Sequence, residues 1–443
     1  MQDAVNTTGF NAARPEPVTR GASALYAVPN LHTRIRVARV NVGMSTFMRT
    51  PGDTPGQFAI ESAMDELAYE LGIDPVELRR ANYADRHPQS GLPWSGNHLL
   101  RCYEIGEREF GWSRRSTRPG TLRDGNDMIG YGMAAGFHAE SSNTASAQVD
   151  LAQDGHAVVR TGTQEIGGGT LTTMVQIAAS RMGLSPEVVR IESGDTNLPP
   201  GAPSYSSMTS GSTGSAVHLA AGQVRDSAIR LAIADPDSPL YGLSADEVTA
   251  QGGRLVERAH PARGETYARL LRRHGIGVLQ ERGDYQPPGE DAGPYALGCF
   301  AAHFVEVRID RRLRRVRVAR HVGVYDIGRV LNLKTATNQA RGGMIFALGS
   351  ALMERFEPDP VTGLAMAPAL TDYHVPVHAD VGEVTPLFID EPETNAHPSG
   401  AKGLGEICTI GVNGAIANAV FNATGVRVRE LPITPEKLAA GGA

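Results

Sequence analysis

The sequence predicts an α+β fold made of two mixed units. Segments with helical spacing and segments typical of β-strands follow one another along the 443 residues, without the regular strand–helix alternation of a doubly wound sheet. Helical segments close a first unit near residue 125, and strand-like segments open a second unit after it. A chain of this length can bury two or three separate cores.

The first unit is predicted from three helical segments. Residues 58–71 carry apolar residues at helical spacing and end at a glycine, and another helix is predicted over 98–110. Between them, Asp74 precedes a proline and stands three residues before Glu77, which is typical of a helix start. Residues 35–40 have a short strand-like pattern.

The second unit is predicted to combine hairpins with helices. Residues 145–151 and 157–161 flank a Gln-Asp-Gly turn and predict one hairpin, and residues 303–309 and 316–325 predict another. Five arginines near the second turn are interpreted as an exposed edge that discourages aggregation. The remaining elements of this unit are predicted as a strand over 189–192 and helices over 170–182, 211–234, 267–273, 338–353 and 412–423.

Composition and charge exclude several classes of protein. A hydrophobic share of 41% and a charged share of 20% are ordinary for a globular protein, and the net charge of −6 argues against a nucleic-acid partner. We find no apolar run of membrane-spanning length and no secretory signal at the first residues, so no membrane partner is expected. Cys102, Cys299 and Cys408 lie far apart, so we expect neither disulfides nor a zinc or iron–sulfur site in this chain.

Residues 399–406 are the first candidate for chemistry. They hold three glycines and a lysine, end in Glu406, and precede a largely apolar run. A glutamate between a glycine-rich loop and an apolar helix is partly desolvated, which raises its pKa and suits a general base. The simpler alternative is a helix-start carboxylate held by backbone N–H groups.

Three glycine-rich turns precede predicted helices, at 167–170, 210–214 and 403–406. A helix start with free N–H groups binds anions, and small residues let a phosphate approach. The chain contains neither a Walker A nor a GxGxxG pattern, which excludes the common nucleotide motifs. Each turn alone is more often an ordinary cap, but three in one chain favour a large anionic ligand.

Two other pairs receive structural interpretations. His374 and His378 have the spacing of a helical metal pair, but Pro376 lies between them, so both are interpreted as structural or surface residues. Asp326 and Arg329 follow a predicted strand and are interpreted as a local ion pair.

Several motifs, in order along the chain, resemble the molybdenum-binding subunit of the xanthine dehydrogenase/aldehyde oxidase family. The resemblance covers nearly the whole chain, and its fold is that family's pair of mixed α/β subdomains. Residues 1–125 would be the C-terminal part of the first cofactor-binding domain, and 126–443 the second. The motifs lie at 48–56, 61–67, 74–79, 162–167, 194–196, 326–339, 400–406 and 431–438.

The resemblance implies a molybdenum hydroxylase that oxidises an aldehyde or an N-heterocycle with water as the oxygen source. Glu406 would be the base at the molybdenum centre, and Arg49 would steady negative charge on the substrate. The metal would be held by a pterin dithiolene, in bacteria usually as molybdopterin cytosine dinucleotide, and not by protein ligands. The residues expected to bind this cofactor are Ile166, Gly167, Gly168, Gly169, Met208, Thr209, Ser210, Gly211, Ser212, Gln339, Lys402, Gly403, Leu404 and Gly405.

The chain departs from the family's pattern in three places. Gly168 stands where several members carry glutamine, and Arg341 stands where many carry an acidic residue. Family members also have a further N-terminal region, so we expect a split subunit whose missing half is supplied by another chain. A truncated chain is the rival explanation.

The resemblance also implies partners and a location. Electrons would leave through an iron–sulfur subunit with [2Fe-2S] clusters and an FAD subunit. We expect a cytoplasmic complex, with export through a partner's signal as the alternative. The competing hypothesis for function is a non-catalytic cofactor-binding or assembly subunit of the same fold.

Overall fold

The computed structural model describes residues 16–37, 47–288 and 293–441. The helices in these ranges are α1 (Asp53–Leu71), α2 (Pro75–Ala81), α3 (Leu99–Phe110), α4 (Thr170–Met182), α5 (Thr209–Ala234), α6 (Tyr267–Arg273), α7 (Leu333–Leu352), α8 (Val412–Thr424) and α9 (Pro435–Ala440). The strands are β1 (Arg123–Asp124), β2 (Asp127–Ala139), β3 (Ala145–Ala152), β4 (Ala157–Arg160), β5 (Val189–Glu192), β6 (Val248–Gln251), β7 (Arg254–Glu257), β8 (Gly264–Thr266), β9 (Val278–Tyr285), β10 (Gly298–Asp310), β11 (Val316–Asp326) and β12 (Val381–Ile389).

The larger sheet has five strands in the order β1-β2-β10-β11-β12. Its strands pair antiparallel except β11 and β12, which run parallel and are joined by a crossover that contains α7. Helix α3 packs against β10 and β11, and α8 packs against β2 and β10. Both faces are covered, so alternate residues of β2 and β10 enter two different apolar clusters.

Strand β2 illustrates how sequence determines this packing. Gly130 and Gly132 lie beneath α8, and a Cβ atom at either position would collide with the backbone around Ala419. Gly136 is in similar contact with the carbonyl of Ile410. Glycine at alternate positions therefore lets the helix backbone lie directly on the strand.

The smaller sheet has the order β5-β4-β3-β9, and α4 and α5 pack against it around the second main core. A third sheet joins the short strands β6, β7 and β8. Among the residues that the structure describes, no helix is both long and apolar enough to cross a bilayer.

A buried ion pair connects the first helices to the larger sheet. Nε of Arg79 lies 2.8 Å from Oε2 of Glu61, and both side chains are fully buried. The same Oε2 accepts a 2.7 Å hydrogen bond from the amide of Ala135 in β2. The amide side chain of Asn418 in α8 donates to the carbonyl of Glu61 at 3.2 Å. Four elements, α1, α2, β2 and α8, therefore meet at this pair.

The predicted α+β class is confirmed, and so are most of the predicted elements. Helix α1 ends where predicted, at Gly72 in the left-handed conformation, and Asp74 caps α2 with a 2.8 Å bond to the amide of Val76. Helix α4, helix α6 and strand β5 have the predicted bounds. The two predicted hairpins are β3–β4 and β10–β11.

Other predictions differ from the structure. Helix α7 begins at Leu333 and not at 338, because the side chain of Asn332 accepts a 2.9 Å hydrogen bond from the amide of Thr335. Strands β2, β9 and β12 and the small third sheet were not predicted. Residues 35–37 form no strand, and 38–40 lie outside the described residues. The boundary near 125 stays a prediction, while α1–α3 share an apolar cluster with β2, β10 and β11 across it.

Candidate functional site

A cavity of about 540 Å³ lies where five chain segments meet. These are residues 47–51, 166–173, 204–210, 327–339 and 401–406, which include the starts of α4, α5 and α7. An apolar cluster that includes Cys299, Tyr325, Met344 and Cys408 lies next to it and contacts Leu404 of the last segment. The loops that form the cavity are therefore connected to elements that pack on the larger sheet and on the smaller sheet.

Glu406 lines this cavity and is held on three sides. Its backbone amide donates to Oγ of Ser207 at 2.8 Å, and its Oε1 accepts from the amide of Thr50 at 3.3 Å. Its Oε2 lies 3.0 Å from Nε2 of His138, at ion-pair distance but not aligned as a regular hydrogen bond. The side chain is 13% exposed.

His138 is the central charged group behind Glu406. It stands near the end of β2, its side chain is 4% exposed, and its Nδ1 lies 3.1 Å from Oδ2 of Asp53. Asp53 also accepts a 2.7 Å bond from Arg20. Burial by itself lowers the pKa of His138, but its contacts with Asp53 and Glu406 outweigh burial and raise the pKa to about 9. His138 is therefore a cation at neutral pH.

The pKa of Glu406 departs from the sequence prediction. Burial raises it, as predicted, but the contact with His138, the amide of Thr50 and the charge of Arg49 together hold the pKa below its usual range. The predicted rise was wrong because His138 is far away in sequence. The alternative of a helix-start carboxylate is also wrong, since α8 begins at Val412 and Gly411 is its cap.

Arg49 binds the backbone that carries Glu406. Its Nε donates to the carbonyl of Gly405, and its Nη2 contacts the carbonyl and Oε1 of Gln339 at 3.2 and 3.3 Å. Nη2 also lies 2.8 Å from Sγ of Cys408. The guanidinium thus joins the 405–408 segment to α7 at the wall of the cavity. Its predicted contact with substrate stays a prediction.

The turn before α4 is already occupied by a carboxylate of the chain itself. Oε1 of Glu165 accepts from the amides of Gly167 and Gly169 at 2.7 and 3.1 Å, and its Oε2 accepts from Leu171 at 3.2 Å. Against the effect of burial, these amides hold the pKa of Glu165 below its usual range. The free N–H groups predicted here are therefore not free. Gly168 faces the cavity, and a Cβ there would lie 3.2 Å from Nε2 of Gln339.

The structure brings only some of the predicted cofactor residues to the cavity. Those that line it are Ile166, Gly168, Thr209, Ser210, Gln339, Lys402, Leu404 and Gly405. Gly167, Gly169, Met208, Gly211, Ser212 and Gly403 do not line it.

Three of the residues away from the cavity have structural contacts instead. Gly211 packs directly against His397, and Oγ of Ser212 accepts from the amide of Asn143 at 3.0 Å. The amide of Gly403 donates to the buried carboxylate of Glu140 at 3.0 Å. These contacts position the neighbouring loops and leave little of the three residues to face a ligand.

The ammonium group of Lys402 is engaged inside the protein. It lies 3.0 Å from Oδ1 of Asp326 and donates to the carbonyl of Gly298 at 2.9 Å, with the side chain 2% exposed. Oδ2 of Asp326 accepts from the amide of His98 at 2.9 Å. The predicted Asp326–Arg329 pair was therefore wrong, because Asp326 points into the core and binds Lys402 and His98.

A second, polar cavity of about 360 Å³ shares Arg329 and Leu331 with the first. Arg181 and Arg225, from α4 and α5, also line it, and no carboxylate does among the described residues. Burial and these three arginines lower the pKa of His218 in its wall to about 4. The field in this cavity favours an anion.

The three cysteines, His374 and His378 do not line the cavity. All three cysteines are free and buried, as expected. His374 and His378 are exposed. In the described ranges, no group of three or more His, Cys, Asp or Glu residues could hold a metal ion.

Sequence reasoning missed His138, Asp53, Ser207 and Glu140. Asp53 belongs to the motif at 48–56, and no local spacing connects it to His138 or to Glu406. The available signal was His138 itself, a basic residue that follows the glycine-rich apolar run of β2. Recognising that run as a strand buried on both faces would have placed a charged side chain at its end.

Comparisons with known proteins match nearly the whole chain. Residues 106–382 match a family described as a molybdopterin cofactor-binding domain, and residues 2–83 match a second family with the same description. The chain is 36% identical over 427 residues to the aldehyde oxidoreductase molybdenum-binding subunit PaoC of Escherichia coli K12, across 96% of this chain and 56% of the relative. It is 30% identical over 454 residues to the putative xanthine dehydrogenase molybdenum-binding subunit XdhA of the same strain, across 98% and 59%.

The fold is also similar to that of solved structures. Quinoline 2-oxidoreductase from Pseudomonas putida 86 matches with a TM-score of 0.84 at 23% identity, over 99% of this chain and 59% of that one. The chain spans a little more than half the length of the curated relatives it matches.

Proposed function

Because the chain belongs to the molybdenum-binding subunits of the xanthine dehydrogenase family, we propose that it forms the cofactor-binding part of a molybdenum hydroxylase. The substrate would be an aldehyde or an N-heterocycle, and water would supply the oxygen atom. The observation that carries this proposal is the ionised carboxylate of Glu406, held at the wall of a cavity of about 540 Å³.

The residues around the cavity fit a bulky pterin cofactor. Small residues such as Gly168 and Gly405 leave the space open, and a Cβ atom at Gly168 would already lie 3.2 Å from Nε2 of Gln339. Ile166, Gln339 and Leu404 would hold the pterin. When bound, the cofactor supplies a two-electron oxidant at its metal centre.

Glu406 is proposed to accept a proton as the general base. Its lowered pKa keeps the carboxylate ionised at neutral pH, so its reactivity comes from position and not from unusual basicity. Oε2 faces His138, so Oε1, held only by a 3.3 Å contact with Thr50, is the atom that would take the proton.

Arg49 is proposed to stabilise negative charge that develops next to Glu406. Its guanidinium already contacts the carbonyl of Gly405 and lines the cavity. A delocalised cation at the wall of a partly dry site stabilises an oxyanion more strongly than it would in water.

We further propose that the cofactor is the cytosine dinucleotide form. The support is the second cavity, which shares the wall residues Arg329 and Leu331 with the first and is lined by three arginines. Guanidinium groups match the geometry of phosphate oxygens. A ligand that enters both cavities would place its diphosphate near these side chains.

Replacement of Arg181 by Met tests the dinucleotide form. Arg181 lines only the second cavity, so the variant should release less CMP on acid hydrolysis and retain less molybdenum, both by several-fold. The exposed Arg272 on α6, changed to Met, is the matched control. Full CMP and molybdenum contents in the Arg181→Met complex would contradict the placement.

Partners are proposed on the same basis. Phe47, Met48, Ile166 and Tyr205 around the cavity are each more than 60% exposed, which supports cover by another part of the subunit. We propose that a partner chain supplies that part, corresponding to the N-terminal half of the relatives. The proposed complex is cytoplasmic and includes a [2Fe-2S] subunit and an FAD subunit. In this proposal, residues 1–125 and 126–443 are parts of two cofactor domains.

The direct test of catalysis is Glu406→Gln in the complex purified from its native host. A glutamine keeps the shape but cannot accept the proton, so kcat should fall by about 10²–10⁴-fold. Molybdenum content is measured on the same sample and should not change. Glu383→Gln, at an exposed position of β12, is the control.

The competing function is a non-catalytic cofactor-binding or assembly subunit. It predicts that Glu406→Gln leaves turnover of the complex unchanged while molybdenum stays bound. The contacts of Glu406 with Ser207, Thr50 and His138 favour the catalytic proposal, because a scaffold has no need to hold an ionised carboxylate at a cavity wall.

A further inference from the structure

We propose that His138, held by Asp53, is the residue that positions the Glu406 carboxylate and keeps it ionised for the reaction. The catalytic consequence rests on the proposed function, but the arrangement itself involves only residues of this chain. His138 contacts the base and not the cavity, so it is a positioning residue.

The geometry places an imidazole ring between two carboxylates. Nδ1 lies 3.1 Å from Oδ2 of Asp53, and Nε2 lies 3.0 Å from Oε2 of Glu406. The three side chains are 2%, 4% and 13% exposed, in the order Asp53, His138, Glu406. A ring with an acceptor on each side interacts favourably with both only when both nitrogens carry protons.

The surrounding charges alternate in sign. Arg20 lies 2.7 Å from the same Oδ2 of Asp53 that contacts His138, and Arg49 donates to the carbonyl of Gly405, next to Glu406. Glu16 is a further acid near Asp53, with its pKa raised chiefly by burial and partly by that aspartate. On β10, the residue opposite His138 is Cys299, whose thiol donates to Glu140.

Loss of the imidazolium would change the balance of charge. Asp53 and Glu406 would then remain as two buried carboxylates with no cation between them. Burial, which already opposes ionisation of Glu406, would no longer be outweighed, and the pKa of Glu406 would rise. The carboxylate would also lose the 3.0 Å contact between its Oε2 and Nε2 of His138.

The tests are His138→Gln and Asp53→Asn in the native complex, with His378→Gln, an exposed histidine, as the control. Glutamine keeps a donor but carries no charge, and Asp53→Asn keeps His138 while removing the acid that holds its charge. The first readout is kcat/KM against pH. In His138→Gln the acid limb should move to higher pH, by about one unit or more, at unchanged molybdenum content. In Asp53→Asn the imidazolium loses one of its two acceptors, so His138 should lose its charge at a lower pH than in the wild type.

The second readout does not use turnover. Since the pKa of His138 is raised to about 9 in the folded protein, its stabilising effect is complete below about pH 6.5 and is lost as the pH rises through 9. The melting temperature of the wild-type complex should therefore be higher than that of the His138→Gln complex. This difference in melting temperature should be largest near pH 6 and should be smaller at pH 10.

The outcomes separate this inference from the proposed function. An acid limb at the wild-type pH in His138→Gln, or a melting difference that does not change with pH, would overturn the role of His138. If His138→Gln does not assemble, the melting difference between the wild type and Asp53→Asn decides, because it should shrink over the same pH range. Full activity of Glu406→Gln would refute the proposed function alone, because the pH-dependent melting would still report on the His138 pair.

Discussion

At the scale of single residues, the ionisation of Glu406 is decided by its neighbours. Burial and the contact with His138 act on its pKa in opposite directions, and the contact prevails. The base is therefore ready to accept a proton over the whole neutral range. This conclusion depends on side chains from α1, β2 and the 399–406 segment, which only the folded chain brings together.

Arg49 offers a test at the same scale. Arg49→Lys keeps the charge, but a single ammonium cannot contact the carbonyls of Gly405 and Gln339 together as the planar guanidinium does. We expect kcat/KM to fall by about 10–100-fold at normal molybdenum content. Arg341→Lys, on the exposed side of α7, is the control. Unchanged kcat/KM in Arg49→Lys would show that the charge alone suffices.

At the scale of elements, the site depends on how α1, α2 and α8 are fixed to β2. Asp53 begins α1, and His138 lies near the end of β2, so the two side chains meet only if the helix and strand keep their relative position. The buried Glu61–Arg79 pair and the glycines of β2 under α8 maintain it.

Arg79→Met tests this connection. It leaves Glu61 as an unpaired buried carboxylate, so the free energy of unfolding should fall by about 3–5 kcal/mol. The exposed Arg429–Glu66 pair gives the matched control, because Arg429→Met should change the free energy of unfolding by no more than about 1 kcal/mol. Urea denaturation of the complex measures both. Equal, small effects would mean that the buried pair does not fix these elements.

At the scale of the whole molecule, buried neutral histidines predict sensitivity to acid. His303 and His321 are buried, and Nδ1 of His303 lies 3.0 Å from Nε2 of His321. Burial lowers the pKa of His303 to about 3, and burial together with His303 lowers the pKa of His321 well below its usual range. Below about pH 6.5 these two histidines bind protons in the unfolded chain but stay neutral in the folded chain. The free energy of unfolding therefore falls as the pH falls below about 6.5.

The His303→Gln variant separates the contribution of this pair from that of other histidines with lowered pKa values, such as His218. Each histidine of the pair contributes up to about 1.4 kcal/mol per pH unit to the loss of unfolding free energy between pH 6.5 and 5, above the range where most carboxylates titrate. His303→Gln should flatten the dependence of the urea midpoint on pH in this window, and His378→Gln should not. An unchanged slope in His303→Gln would contradict the assignment.

The sequence predicted the fold class, most helices and several of the residues that line the cavity, because periodic apolar patterns and glycine-rich turns are local signals. It did not predict β2, because a strand buried on both faces lacks the alternation on which strand prediction depends. The predicted anion role of the 167–169 turn overlooked Glu165, two residues upstream, whose carboxylate occupies the amides. The Asp326–Arg329 pair was wrongly predicted because the partners of Asp326, which are Lys402 and His98, are distant from it in sequence.

Turnover by the native complex in water labelled with oxygen-18, with molybdenum and CMP quantified in the same sample, is the most direct test of the proposed hydroxylase. We expect near-stoichiometric molybdenum and CMP, and an oxidised aldehyde or N-heterocycle whose new oxygen carries the label. An intact, folded complex without molybdenum, or a product whose oxygen is unlabelled, would refute the proposed hydroxylase.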